Sequence, residues 1–280
     1  MPYTRWVRHR WLLALGLLAP ACLFPALDGL TGADGSAPDV SADVTTPPTD
    51  AGDAAVESGP LCPDASDASY CASLCPAPTF CDDFDKDKTF SRWSDGLVTS
   101  PGSYGNIQEG GVSPPQYAQL VTKLNDASTA FSELRTKLPS ATVITVDGDA
   151  NVTEPAAHWG LFSLELVPLP PYDKTLVFVD VSYGSWDIKQ DIELSDGGVQ
   201  TTTLPISAAV PTGWFHVTFT LDTVAHTMSL TVDGQPLAAS IPASAALTPG
   251  NVTLRAGIYF VPANVGQQKV WLDNVVVRAQ

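Results

Sequence analysis

The segments GWFHVTFTLD (residues 213–222) and TMSLTVDG (residues 227–234) decide the fold of this chain. Large apolar residues occupy every second position in both, namely Phe215, Val217, Phe219, Leu221, Met228, Leu230 and Val232. A period of two places one side of an extended chain in a core and the other side in water. The pattern therefore predicts two half-buried β-strands, and the Asp-Gly pair that ends the second segment predicts a tight hairpin turn.

Other segments of the chain repeat this strand pattern. Residues 186–194 alternate apolar and charged side chains, and Gln190 is the one polar interruption on the apolar side. Residues 176–181 are almost continuously apolar, which is typical of a strand covered on both faces. Residues 128–138 favour a strand over a short helix, and residues 270–277 predict a closing strand. Many short strands with few helices predict an all-β fold, a two-sheet antiparallel β-sandwich or jelly roll.

The segments quoted first, together with two others, resemble the laminin-G-like branch of the concanavalin A-like lectin/glucanase superfamily. In that branch a Trp-x-His-Val strand leads into a hairpin that ends in Val-Asp-Gly, as residues 213–234 do here. FCDDFD at residues 80–85 resembles the opening strand, and WLDNV at residues 271–275 resembles the last strand. The resemblance spans residues 79–280 and implies a concanavalin A-like jelly roll. It implies no single activity, because the superfamily contains lectins, glycosidases, lyases and adhesive modules.

One predicted strand bears on the enzyme classes of that superfamily. Its glycosidases often carry E-x-D-x-E on one strand, and here Lys189, Asp191 and Glu193 occupy those three positions. Retaining hydrolysis needs two carboxyl groups about 5–5.5 Å apart, and the nucleophile's position holds a lysine, so the pattern argues against a glucanase. Asp187, Asp191 and Glu193 are predicted instead to bind a ligand. The alternative is a surface ladder in which the lysine pairs with its carboxylate neighbours.

Asp83, Asp85 and Asp273 are the candidate metal ligands. Related domains often hold a structural calcium ion between their first and last strands, which here would implicate Asp83 or Asp85 together with Asp273. Calcium needs several oxygen ligands, and carboxylates supply them well. The alternative is that these residues belong to solvated acidic turns. One structural Ca²⁺ is the only cofactor that we expect.

Residues 1–21 predict a secretory signal peptide. Three arginines within the first ten residues precede a short apolar run, and that run is too short to cross a bilayer. The following run LAPAC resembles a bacterial lipoprotein signal, in which Cys22 is lipidated and becomes the new N-terminus. The alternative is ordinary cleavage after Ala21, which would leave Cys22 as a free thiol. Acyl chains on Cys22 would anchor the protein to a membrane.

Residues 22–60 predict a disordered acidic linker behind that anchor. Aspartates are interleaved there with Ala, Pro, Thr, Gly and Ser, and little apolar surface is available to bury. Like charges repel one another and the prolines stiffen the chain, so the segment is expected to act as a spacer. It would separate the globular part of the protein from the membrane.

Residues 61–78 predict a cysteine-rich segment fixed to the first strand of the domain. The four cysteines in and beside it, Cys62, Cys71, Cys75 and Cys81, form an even set suited to an oxidising compartment. We expect two disulfides, with the connectivity open among three pairings. A zinc site is the weaker alternative, because only one pair has close spacing and no histidine lies nearby.

The net charge of −16 excludes nucleic acid as a partner, because such a surface repels phosphates. Removal of the three signal-peptide arginines makes the charge more negative. We therefore expect membrane contact only through the lipid anchor.

Together these features predict a lipoprotein at the bacterial outer membrane or cell surface, with a fully secreted protein as the alternative. It would present a non-catalytic concanavalin A-like binding module for a polysaccharide or another glycan. A divergent glycoside hydrolase or polysaccharide lyase is the first alternative function. A structural envelope protein without a small ligand is the second.

Overall fold

The regular secondary structure of the described chain is almost entirely β-strand. The computed structural model describes residues 69–86, 88–123, 130–153, 159–167, 172–182, 185–194, 196–245, 247–262 and 265–280. One short helix, α1, spans Tyr70–Ser73. The strands are β1 Phe80–Asp82, β2 Gly96–Thr99, β3 Tyr104–Glu109, β4 Gln116–Thr122, β5 Ala130–Leu138, β6 Val143–Thr153, β7 Trp159–Val167, β8 Tyr172–Ser182, β9 Ser185–Leu194, β10 Val199–Ala209, β11 Trp214–Asp222, β12 Thr227–Val232, β13 Gln235–Pro242, β14 Asn251–Val261 and β15 Gln268–Ala279.

The N-terminal predictions fall outside this part of the chain. The signal peptide at residues 1–21, the lipidation of Cys22, the linker at residues 22–60 and any role of Cys62 all lie outside the described residues, and they stay predictions. Within the described ranges, no helix is both long enough and apolar enough to cross a bilayer.

The segments that decide the fold form β11 and β12, as their period of two predicts. Buried and partly exposed residues alternate along both strands. The strands pair antiparallel, with Phe219 opposite Leu230. Asp233 and Gly234 follow with φ angles of 49° and 72°, a left-handed backbone that Gly and Asp tolerate in a two-residue turn. The predicted hairpin is confirmed, and it joins β12 to β13.

The strands form two antiparallel sheets. In the eight-stranded sheet the order is β13-β12-β11-β6-β15-β4-β3, and β1 pairs with β15 beside this path. In the seven-stranded sheet the order is β10-β9-β8-β7-β14-β5-β2. The strand preferred for residues 128–138 is present as β5, and the closing strand predicted at residues 270–277 is present as β15. The predicted two-sheet antiparallel β-sandwich is confirmed.

The inner faces of the two sheets pack against each other to form the core. The ring centroids of Trp186 on β9 and Phe215 on β11 lie 5.7 Å apart in an edge-to-face contact between the sheets. Gly148 on β6 leaves room for the buried ring of Phe162 on β7, because a Cβ atom there would lie 2.9 Å from the ring. Side chains that alternate with these core residues point to the two outer faces of the sandwich.

Gln190 is the polar residue that the sequence placed on the core side of β9. It is buried, and its side-chain amide donates to the Pro242 carbonyl at 3.2 Å and accepts from the Ser244 N–H at 2.8 Å. Both ends of the amide are therefore satisfied by the last residue of β13 and the segment that follows it. This pairing explains how a polar side chain is tolerated among apolar neighbours.

Disulfides fix the cysteine-rich segment to the sandwich. Cys71 in α1 bonds to Cys81 in β1, and β1 in turn pairs with β15. Cys75 is also in a disulfide, and its partner lies outside the described residues. Disulfide bonding is thus confirmed for the cysteines at positions 71, 75 and 81. Oxidised sulfurs do not bind zinc, so the alternative zinc site is excluded for these three residues.

Candidate functional site

The predicted ligand-binding residues lie on the outer face of the seven-stranded sheet. Along β9 the side chains of Asp187, Lys189 and Asp191 alternate with buried residues, and exposed Glu193 continues the row. Asp191 accepts a hydrogen bond from the Thr201 hydroxyl at 2.6 Å and pairs with the Lys189 ammonium at 3.3 Å. Lys189 and Asp191 therefore form the surface ladder that was the alternative interpretation of this strand.

An ion-pair network on the same face crosses three further strands. Glu133 and Arg135 lie on β5, Arg255 on β14, and Glu165 on β7. The guanidinium of Arg255 pairs with Glu165 and lies 3.9 Å from a Glu133 oxygen. Arg135 donates to that Glu133 oxygen through Nε at 2.8 Å. Positive and negative groups thus alternate across the middle of the sheet.

Ser163 completes this group, because the strand register places it directly opposite Arg255. We call Glu133, Arg135, Ser163, Glu165 and Arg255 the Arg255 cluster. Three buried polar atoms in it have no hydrogen-bond partner among the described residues, and they are Glu133 Oε2, Ser163 Oγ and Arg255 Nε. Buried polar atoms are normally paired, so three orphans on adjacent strands require an explanation.

Burial dominates the electrostatics of Glu133. Its exposure is 1%, and burial raises the pKa of its carboxyl group, although the guanidinium groups of Arg135 and Arg255 partly oppose the rise. The cluster reaches solvent through those two arginines, whose side chains are 27% and 14% exposed. The cluster is therefore a nearly neutral surface whose unpaired hydrogen-bond donors and acceptors are buried.

Sequence reasoning missed the Arg255 cluster. Each member alternates along its strand with buried apolar residues, such as Leu134, Leu164 and Leu254. A single charged residue in such a pattern is normally interpreted as part of a solvent-exposed face. The available signal was that two arginines and two glutamates alternate with apolar residues in three short segments, at residues 133–135, 163–165 and 254–256. Their convergence depends on strand order, and no local pattern specifies that order.

The predicted metal ligands hold loops in place. Asp83 accepts from the Cys71 N–H at 2.9 Å, and Asp85 accepts from the Gln116 N–H at 3.2 Å. Asp273 accepts from the N–H groups of Val112 and Ser113, both at 2.9 Å, and from the Ser113 hydroxyl and the Asn274 N–H.

These contacts determine whether Asp83, Asp85 and Asp273 could bind a calcium ion together. Among the described residues, no group of three or more His, Cys, Asp or Glu side chains is arranged to hold a metal ion. Asp83 Oδ1 is the one buried oxygen of the predicted ligands that has no partner there. As placed, the three side chains do not offer a common set of free oxygens, and calcium binding stays a prediction from the resemblance.

His216, from the motif strand, belongs to a separate polar cluster on the outer face of the eight-stranded sheet. Its Nδ1 lies 2.9 Å from Asp149, and the carboxylates of Asp147 and Asp149 raise the pKa of the imidazole to about 10. Asp147 also accepts from Thr218 at 2.7 Å and from Arg278 at 3.1 Å. The histidine is therefore a charged structural group.

Comparison with known proteins identifies the fold. No protein-family model matches this chain, and no curated protein matches it. The GH16 protein of a Bacteroides ovatus mixed linkage glucan PUL, solved with its G4G4G3G product, is 9% identical, with a TM-score of 0.51 over 71% of this chain and 99% of that chain. The cellulose-induced protein Cip1 is 13% identical, with a TM-score of 0.53 over 72% of this chain and 97% of that chain.

A GH16 endo-glucanase from Bacteroides ovatus is similar to the same extent. It is 10% identical, with a TM-score of 0.50 over 71% of this chain and 99% of that chain. At such identities the likeness shows the fold alone, and membership of the laminin-G-like branch stays a prediction. The described chain is a concanavalin A-like β-sandwich.

Proposed function

We propose that this protein is a non-catalytic carbohydrate-binding module that an exported lipoprotein presents at the bacterial outer membrane or cell surface. The binding face is the outer face of the seven-stranded sheet, with the Arg255 cluster at its centre. Asp187, Asp191 and Glu193 line its margin on β9. Two proteins with the same fold support a carbohydrate ligand, because one was solved with a mixed linkage glucan product and the other is a cellulose-induced protein.

The observation that carries the proposal is the set of orphaned atoms in the Arg255 cluster. Arg255 Nε is an unused donor, Glu133 Oε2 is an unused acceptor, and the Ser163 hydroxyl can do both. A sugar hydroxyl also donates and accepts, so hydroxyl groups of a pyranose would be chemically suitable partners for these atoms. Filling these positions would remove the cost of burying unpaired polar groups.

The charges of the cluster favour binding over hydrolysis. Glu133 is paired with Arg135, Glu165 with Arg255, and Asp191 with Lys189. A retaining glycosidase needs one carboxylate free to attack and a protonated carboxyl group about 5–5.5 Å away to donate a proton to the leaving group. Ion-paired carboxylates are poor nucleophiles, and the position of the family nucleophile holds Lys189. We therefore favour the binding module over the divergent hydrolase or lyase.

The lipid anchor and the linker complete the proposal. Residues 22–60 would place the sandwich at a distance from the membrane, where its outer faces are accessible to polymers. Such an arrangement suits capture of a polysaccharide better than turnover of a small metabolite. Export to an oxidising compartment would also account for the disulfides of the cysteine-rich segment, which otherwise has little core of its own.

Affinity electrophoresis of the oxidised, purified protein tests the proposal. Gels would contain neutral β-glucan, cellulose derivatives or alginate, and released reducing ends would be assayed in parallel. We expect retention by at least one polymer without release of sugar ends. Release of sugar ends would establish the hydrolase, and an absence of retention by every polymer would favour the structural envelope protein.

Ser163→Ala and Arg255→Lys locate the binding face. Ser163→Ala removes the hydroxyl oxygen, and Arg255→Lys replaces the three guanidinium nitrogens, Nε included, by one ammonium nitrogen, so we expect affinity to fall about two- to tenfold. Ser163→Ala should leave the unfolding midpoint unchanged or slightly raised, because the deleted hydroxyl is buried and unpaired. Ser229→Ala, a matched change on the other sheet, should bind as the wild type does. Equal affinities for all these variants would place the ligand elsewhere.

A further inference from the structure

The opposite outer face of the sandwich carries a row of aromatic and amide side chains. Strand register aligns Trp214 on β11 with Asn151 on β6, Asn151 with Trp271 on β15, Trp271 with Gln119 on β4, and Gln119 with Asn106 on β3. On the four inner strands of the row these side chains alternate with buried ones, Asn106 on the edge strand β3 continues the same register, and all five are partly exposed. Neighbouring strands are about 4.8 Å apart, so the row extends about 19 Å.

Further aromatic groups widen this row into a surface. The ring centroids of Tyr117 and Trp214 lie 5.7 Å apart, although β6 and β15 separate their strands. Tyr104 is 46% exposed at the β3 edge, and the Lys269 ammonium lies 5.5 Å from the centre of the Trp271 ring. We call the five residues of the row, together with Tyr104, Tyr117 and Lys269, the aromatic–amide patch.

The composition of the patch differs from that of the rest of its sheet. Beyond it, the outward positions hold the charged residues of the His216 cluster and small polar residues, as at Thr218, Thr220 and Ser229. Two tryptophans on a solvent-facing sheet surface leave apolar area in water without contributing to the core. In addition, Asn106 Oδ1 and Trp271 Nε1 are buried atoms with no hydrogen-bond partner among the described residues.

This chemistry selects one kind of occupant. Flat aromatic rings pack against the apolar faces of pyranose rings, and amide side chains exchange hydrogen bonds with the equatorial hydroxyl groups. The chain carries a net charge of −16, and Lys269 is the one cationic side chain in the patch. A polyanionic polymer would be repelled, whereas a neutral one would not. The length of the row suits an extended chain and exceeds the size of a single sugar.

We propose that the aromatic–amide patch is a second carbohydrate-binding surface, in which the rings of Trp214 and Trp271 stack on a neutral, extended polysaccharide while Asn106, Gln119 and Asn151 bind its hydroxyl groups. The inference goes beyond the proposed function, because it depends on no residue of the Arg255 cluster. Two binding faces on opposite sheets would let one anchored protein hold two polymer chains.

Nuclear magnetic resonance of the full oxidised chain tests the proposal, with a soluble β-glucan tetrasaccharide as the probe. We expect the indole N–H signals of Trp214 and Trp271 to shift on titration, while that of Trp186 in the core stays constant. If neither of the two indole signals moves while signals from β5, β7 and β14 do, the second surface is wrong and the proposed function stands. If no signal moves at any probe concentration, the second surface is equally wrong, and the proposed function is judged by its own polymer panel.

Variants make the test independent of spectral assignment. Trp271→Ala removes one stacking ring, and we expect retention on neutral β-glucan gels to weaken about three- to tenfold. Gln119→Ala should also weaken retention on these gels, with little effect on folding. Gln200→Ala, on the exposed edge strand β10, is the control and should leave retention unchanged. Arg255→Lys combined with Trp271→Ala should lose more than either change alone. Wild-type retention of both Trp271→Ala and Gln119→Ala would overturn the second surface.

Discussion

At the scale of single residues, the pairing of polar atoms distinguishes the His216 cluster from the Arg255 cluster. On the eight-stranded sheet, Asp147 accepts bonds from Thr218 and Arg278, and these groups and His216 hold the pKa of its carboxyl below the usual value although burial raises it. On the seven-stranded sheet, Glu133 and Arg255 keep unpaired buried atoms. The first arrangement stabilises the fold, whereas the second is suited to a ligand.

The His216 cluster predicts a specific dependence of stability on pH. The neighbouring carboxylates raise the pKa of His216 from 6.5 to about 10, so the folded state holds a proton that the unfolded state releases. This stabilisation is complete below pH 6.5 and is lost as the pH rises towards 10. We expect the free energy of unfolding of the wild type to fall more steeply over this range than that of His216→Gln.

Urea unfolding at several pH values between 6 and 10 measures this difference. Tyr70 and Asp273 face the same region and also have raised pKa values. Both residues are present in the wild type and in His216→Gln, so their contributions to the pH dependence of stability cancel in the comparison. Parallel pH profiles for the wild type and His216→Gln would contradict a charged histidine in the folded state.

The residue-scale predictions from sequence succeeded where the determinant was local. The ion pair between Lys189 and Asp191, the alternative interpretation of this strand, follows from their spacing of two residues on one strand. The inward orientation of Gln190 follows from its position in the apolar period of two. The Arg255 cluster could not be predicted, because it joins Glu133, Ser163 and Arg255 across more than 120 residues of chain. Only the register of three strands brings them together.

At the scale of elements, the contact between Gly148 and Phe162 sets the separation of the two sheets at that point. A Cβ atom at Gly148 would lie 2.9 Å from the end of the Phe162 ring, and that ring is 1% exposed. The ring is surrounded by core residues, so it has little freedom to move away. A larger side chain on β6 must therefore push the sheets apart or displace the ring.

Gly148→Val should lower the free energy of unfolding by about 1–3 kcal/mol, as overpacking of a core commonly does. Gly266→Val is the control, because a Cβ atom at Gly266 would meet nothing within 4 Å. Thermal unfolding of both variants beside the wild type measures the difference. A destabilisation of equal size in both would indicate loss of glycine itself and not crowding between the sheets.

Strand existence was predictable from the period of two, but strand order was not. Residues 186–194, 213–222 and 227–234 each show the pattern that their strands require, and the Asp-Gly turn fixes one hairpin. By contrast, β6 lies between β11 and β15, so its two neighbours are strands distant in sequence. Such pairings are decided by packing of the complete core, which no single segment encodes.

At the scale of the whole molecule, the disulfides join the cysteine-rich segment to both ends of the domain. Cys71–Cys81 fixes α1 to β1, and β1 is hydrogen-bonded to β15. Buried Asp82 on β1 accepts from the Phe84 N–H at 3.0 Å and from the Trp93 indole at 2.8 Å, so the entry of the chain into the sandwich is held on several sides.

We predict that Cys75 is bonded to Cys62, because Cys71 and Cys81 already form one pair and Cys22 is expected to carry lipid. Proteolysis without reduction, followed by mass spectrometry, should recover a peptide that joins positions 62 and 75. A peptide joining Cys22 to Cys75 would contradict both this pairing and the lipid anchor. Cys62→Ser provides the control, since it should leave Cys75 reactive towards a thiol reagent.

The pairing of β1 with β15 also bears on when the protein can fold. Phe80 lies opposite Val277, so the first strand of the sandwich acquires its neighbour only when almost the last residues are present. A chain that leaves the cytoplasm N-terminus first must therefore keep its opening strand unpaired until translocation is nearly complete. Under the proposed export, the sandwich would complete its folding only after translocation, and the unpaired strand β1 would be the segment that a chaperone would need to shield.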